Sequence, residues 1–336
     1  MNPTINDFML SLIEELQTKG VAESTATTYV RNLYTLNNKR PFKNLAFLRN
    51  KNQIEATMRP YADSTKKTLL ASIVSVLGMY KTKRNYGKLY DYYQGLMNEK
   101  KKEMDAKPKN VRNEKQEKHW ISWDSVKEKL ENLKDAVEDF RTKRTISTSQ
   151  RQKLLEYLLL SLFTRIPPRR NQDYAQMYVV KKATGDLPED KNYYVIDDKK
   201  LIFNKYKTAK TYGQQTIDIS KNRDLLDALN LYVRHHVSRP SRWGKNSMFP
   251  LLVKGDGSPL SSVNGITRLL HKILGKNVGA SMLRHIYLTS KYGDELEDMK
   301  RDATAMGHSL AEQKEYIKND DPDEKEDNPR EGSKEA

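Results

Sequence analysis

The chain has 336 residues and no cysteine, which excludes disulfides, cysteine-ligated zinc and thiol catalysis. Its charged share is 31% against 37% hydrophobic, and no apolar run reaches the roughly 18–20 residues a bilayer span needs, so a soluble, polar, two-domain chain is expected. Net charge is +16, and because residues 319–336 hold eight acidic against three basic side chains, the residues before them carry +21. A body that basic attracts polyanions, nucleic acid first. An amphipathic basic helix with an exposed aromatic face is missing, which disfavours a membrane surface as partner.

Residues 1–7 lack the basic-then-apolar layout of a secretory signal. Residues 4–95 carry a helical pattern. Phe8, Leu10, Leu12, Ile13 and Leu16 mark a first amphipathic segment that ends at Gly20. Ser24-Thr25 is expected to cap a second, with Tyr29, Val30, Leu33 and Leu36 on its apolar face. Asp63 is expected to cap a third, burying Leu69, Leu70, Ile73, Val76 and Leu77. Tyr86, Leu89, Tyr90, Tyr93 and Leu96 mark a fourth. From 99 to 118 the apolar pattern stops and lysine dominates, which predicts a charged, extended linker.

Order resumes at Trp120, with Ser122 capping a helix through Val126, Leu130 and Leu133. Residues 154–163 are apolar almost all round, the mark of a buried helix. Three β-type runs follow at 193–196, 201–206 and 214–219, the last two joined by a turn at 207–213. Helices are expected again at 224–236, 261–274 and 280–292. Residues 319–336, acid-rich with two prolines, fit a disordered tail, and its Asp320, Asp321 and Asp323 fit a solvated run better than metal ligands.

The residues that carry chemistry are scattered. Arg169-Arg170 follows Pro167-Pro168, with Asp173 and Met177 behind it. Lysines 205, 207 and 210 sit in or beside the 207–213 turn. Arg284-His285 closes the run Ser281-Met282-Leu283-Arg284-His285, Gly307-His308-Ser309 follows, and Tyr316 stands eight residues after His308. Two arginines can clamp one phosphate in bidentate fashion, and a tyrosine beside them is a nucleophile for phosphodiesters.

In that order, these segments resemble the tyrosine recombinase (phage integrase) family, which includes the Cre and Xer proteins. The resemblance implies a mainly α fold with a small antiparallel β-sheet: a helical core DNA-binding domain at 1–98, a linker at 99–118 and a catalytic domain at 119–318, closing on DNA as a C-shaped clamp. It points to Arg170, with Asp173 three residues on and Met177 at plus seven, as the first arginine, though Arg169 is its close rival. It points to Lys210 as general acid, with Lys207 and Lys205 as rivals, and to Arg284, His308 and Tyr316 as phosphate ligands and nucleophile. Where that family usually has histidine this chain has Ser281, able to donate a hydrogen bond but not to handle a proton near pH 7. The His308–Tyr316 interval is one residue shorter than usual.

The implied activity is cutting and rejoining of double-stranded DNA through a 3′-phosphotyrosyl link and a Holliday junction, by a homo-tetramer on paired sites. Neither metal, cofactor nor ATP is needed, since the covalent link keeps the phosphodiester energy. The implied setting is intracellular: cytoplasm, or the nucleus or virus factory of a host, in a mobile element or large DNA virus. A type IB topoisomerase uses the same residue set, and a DNA-binding relative without catalysis is the other alternative, for which Ser281 speaks.

Overall fold

A computed structural model describes residues 5–83, 85–106, 111–183, 187–244 and 247–316. The acidic segment 319–336 and the lysines at 107 and 109 lie outside them. The chain divides into two units, Met1–Val111 and Arg112–Ala336, a boundary inside the expected linker.

In the first unit α1 (Asp7–Thr18), α2 (Glu23–Leu36), α3 (Lys51–Met58), α4 (Asp63–Gly78) and α5 (Gly87–Asp105) surround one core. Met9, Leu12 and Leu16 sit three and four residues apart on α1 and are fully buried, as a helical stripe must be. The Asn6 side chain accepts from Met9 N–H and caps that helix. Between α2 and α4, Asn32 Nδ2 donates to Ser72 Oγ at 2.8 Å, and Tyr93 of α5 donates its hydroxyl to the Leu48 carbonyl at 2.7 Å. Two expected caps differ. Ala22 and Ala62 are the N-caps, while Ser24-Thr25 and Asp63 lie inside the first turns. There Glu23 and Asp63 favour the helix N-terminus by charge instead of by a cap bond. The expected extended linker is also corrected. Residues 99–105 complete α5, and Asn113 with Gln116 forms a capping box for α6 (Glu114–His119). Lysine and glutamate are good helix formers, so a lysine-rich run need not be extended.

The second unit is built around α8 (Thr148–Thr164), which Ser147 caps. Its residues 154–163 are buried all round, against α7 (Trp123–Val137, capped by Ser122 as expected) and the later helices α11 (Arg223–Arg234) and α12 (Val263–Leu274). After α8 come α9 (Asn171–Ala175), β1 (Met177–Val180), β2 (Asn192–Val195), β3 (Lys200–Phe203), α10 (Ala209–Tyr212), β4 (Gln215–Asp218) and β5 (Met248–Pro250). The sheet order is β4-β3-β2-β1-β5. β1 and β2 run parallel and the other neighbours antiparallel, so the sheet is mixed and not antiparallel as expected. β1 and β5 lie outside the expected β-type runs; β5 has only three residues and ends in Pro250, which its edge position tolerates. The chain closes with α13 (Ala280–Met306) and α14 (Leu310–Tyr316). The unit is thus mainly helical with one small sheet. No helix among the described residues is long and apolar enough to cross a membrane.

Candidate active site

Pro167-Pro168 cannot continue α8, so the chain leaves it extended and turns into α9 with Arg170 as N-cap, at φ −79° and ψ 149°. α9 is short but pinned from three sides. Asn171 Nδ2 donates to Thr267 Oγ1 of α12 at 2.8 Å, Tyr174 donates to the Leu162 carbonyl at 3.0 Å, and buried Asn192 of β2 donates to the Asp173 carbonyl at 2.8 Å. Asn192 also holds Lys205 at both backbone groups, its Nδ2 donating to O at 2.9 Å and its Oδ1 accepting from N at 2.8 Å.

Two adjacent arginines therefore leave a rigid corner, and they do different things. Arg169 Nε donates to Asp173 Oδ2 at 2.9 Å and Nη1 to Gln215 Oε1 at 3.0 Å, while its guanidinium lies 3.8 Å from the Phe203 ring centroid. Arg170 is half-buried and bound by no side-chain hydrogen bond or ion pair among the described residues. Of the two neighbours, Arg169 is occupied within the fold and Arg170 is available.

Asp173 is 2% exposed. Burial pushes its carboxyl up, against the pull of Arg169 and Arg170. Its second oxygen, Oδ1, is buried with no hydrogen-bond partner. Arg284, in the second turn of α13, faces the same place. Burial and then the repulsion of Arg170 lower its guanidinium, with Asp173 acting in the other direction, and its Nε is buried without a partner. Arg170, Asp173 and Arg284 thus form one electrostatic group although 114 residues separate the two arginines. With Arg169 already on Asp173, the cluster carries an excess of two positive charges and unspent donors, the composition of an anion site.

Ser281 is exposed one turn before Arg284, and His285 is exposed beside it. Lys210 is exposed on α10, in the connection between β3 and β4, and Lys205 and Lys207 are exposed as well. Tyr206 donates to the Gly213 carbonyl at 2.7 Å and closes that connection, where Gly213 takes φ +63°. Tyr287, on the same helix as Arg284, packs against Trp123 with ring centroids 5.3 Å apart.

The remaining pair lies elsewhere. α13 does not stop at 292 as expected but runs 27 residues to Met306, where Gly307 at φ +76° ends it. His308 and Tyr316 follow with ring centroids 5.5 Å apart, Tyr316 being 67% exposed. From Arg284 to Met306 the helix rises by about 33 Å at 1.5 Å per residue. The structure therefore brings Arg170 and Arg284 together and His308 and Tyr316 together, and holds the two pairs apart. The longer helix has a plain cause: most of residues 294–306 are good helix formers, and one interior glycine costs only about 1 kcal/mol.

Sequence reasoning missed the work done by Arg169, Asn192 and Gln215. No spacing marks a buried asparagine; the Pro-Pro-Arg-Arg order was the only signal for Arg169. No group of histidines and acids able to hold a metal occurs among the described residues. Comparison with protein-family models, with curated proteins and with solved structures finds no match to this chain.

Proposed function

We propose that the protein is a DNA strand transferase of the tyrosine recombinase type, cutting and rejoining double-stranded DNA without metal or ATP. One observation carries this: Arg170 and Arg284, far apart in sequence, converge beside a buried carboxylate with donors left over, in a chain of strong positive charge. Such a pair can hold two non-bridging oxygens of one phosphate and offset the charge of a pentacoordinate phosphorus. Tyr316 Oη attacks the phosphorus, losing its proton to water or to His308, and forms a 3′-phosphotyrosyl bond as the P–O5′ bond breaks. Lys210 gives a proton to the departing 5′ oxygen. Ser281 and His308 donate to the phosphate. Attack of a 5′ hydroxyl from a second duplex reverses these steps and exchanges strands, in a homo-tetramer on paired sites.

This chemistry requires Tyr316 to travel. α13 contains the means, because Gly293 suits a helix C-terminus and Asp294 with Glu297 has the spacing of a capping box for a new helix. A break there lets the outer half of α13 fold back and carry His308 and Tyr316 towards Arg284. The separation observed in the straight helix is also what favours the second reading, a DNA-binding relative without catalysis. A duplex nicked so that the cleaved end diffuses away decides between them. The strand transferase traps a protein–DNA adduct that Tyr316→Phe cannot form; the binding relative forms none.

A further inference from the structure

We infer that Arg169 is a positioning residue for the lysine that protonates the leaving group, an assignment that rests on the proposed strand-transfer chemistry. Phe203 and Gln215 form the cross-strand pair of β3 and β4 nearest the Lys210 connection. Arg169 engages both members, lying 3.8 Å over the Phe203 ring and donating to Gln215 at 3.0 Å. It also lies 5.3 Å from the ring of Tyr206, which in turn closes the connection through Gly213. Its remaining reach goes to Asp173, the carboxylate beside Arg170 and Arg284. One planar guanidinium, 16% exposed, therefore ties the phosphate corner to both legs of the lysine-bearing hairpin.

Lysine cannot reproduce this. Its single ammonium lacks the fork needed to serve Asp173 and Gln215 at once and the flat face that stacks on Phe203. Lys210 itself is exposed and borne on a four-residue helix, so its placement depends on where the hairpin is held. Arg169 sets that placement without touching DNA.

The test changes one atom of the substrate. With sulfur in place of the bridging 5′ oxygen at the scissile phosphate, the leaving group departs as a thiolate and needs no proton. Adduct formation is followed in single turnover with the full chain on nicked duplexes bearing either oxygen or sulfur. Arg169→Met is expected to slow the oxygen substrate ~100-fold, the lower range for loss of a general acid, and to return to within a few-fold of wild type on sulfur. Arg169→Lys should show the same pattern. Gln215→Leu, which cuts only the link to β4 and leaves the arginine corner whole, should show a weaker version and serves if Arg169→Met folds poorly. Equal slowing on both substrates by Arg169→Lys and Gln215→Leu, or no slowing on either, overturns the assignment. Absence of an adduct from wild-type protein on both substrates instead overturns the strand-transfer reading on which it rests.

Discussion

Replacing Gly293 with alanine tests whether α13 must break for Tyr316 to act. In the straight helix an added Cβ would meet only Thr289 Cγ2 at 3.6 Å, an ordinary contact, so the change introduces no clash. Alanine favours the helical conformation over glycine by about 1 kcal/mol. In the broken form Gly293 would end the first half-helix in left-handed backbone, where alanine loses about a further 1 kcal/mol. The two effects add, because one stabilises the straight form and the other destabilises the broken one. A total of about 2 kcal/mol lowers the broken population ~30-fold. Single-turnover adduct formation should slow by that factor while the thermal midpoint rises slightly, and Gly293→Asn, which tolerates left-handed backbone, should lose less. An unchanged rate for Gly293→Ala, with Tyr316 still required, would refute the break. Tyr316 would then reach the arginines of a neighbouring protomer with α13 straight.

Three further outcomes follow from particular residues. Lys210→Ala should slow cleavage of the oxygen-bridged duplex by ~10²-fold or more and recover on the sulfur-bridged one, whereas Lys207→Ala should do neither; the reverse pattern moves the general acid to Lys207. DNA affinity, measured at 50 and 200 mM salt, should fall by ~10³-fold if six phosphates are contacted, and an affinity indifferent to salt contradicts a phosphate-reading surface. Burial pulls the His236 imidazole from 6.5 down to about 4. The unfolded chain then binds this proton first, so the stability it confers is complete above pH 6.5 and lost as pH falls through 4, about 3 kcal/mol in all. Urea midpoints across that range should fall more steeply for wild type than for His236→Phe, and parallel curves would show that His236 titrates normally.

The α-helical layers were legible because buried faces repeat at helical spacing: Leu12 and Leu16 of α1, or the wholly apolar 154–163. Within α1, however, Met9 and not Leu10 completes the buried stripe, Leu10 being 48% exposed. The parallel pairing of β1 with β2 was not legible, since the direction of pairing depends on where the chain returns and not on the residues of either strand. At the site, Arg170 and Arg284 could be chosen from their order in the chain. Their convergence could not, because it depends on Asn171 and Asn192 anchoring α9 to α12 and β2. Arg169 and Arg170 are chemically identical, and their surroundings differ only through the fold, which sets Asp173, Phe203 and Gln215 around Arg169. The end of α13 was misjudged for an energetic reason. Gly293-Asp294 is both a stop signal and an affordable interior pair, differing by about 1 kcal/mol, too little for sequence alone to decide.

The strand-transfer proposal meets its most direct test in the covalent adduct itself. A nicked, end-labelled duplex containing a cleavable site should yield a protease-sensitive protein–DNA band with wild-type chain. Peptide mapping should place the phosphate on Tyr316, Tyr316→Phe should yield no band, and Arg284→Ala should form it ~10²–10³-fold more slowly. An adduct mapped to another residue, or an Arg284→Ala rate equal to wild type, would contradict the assignment of this site.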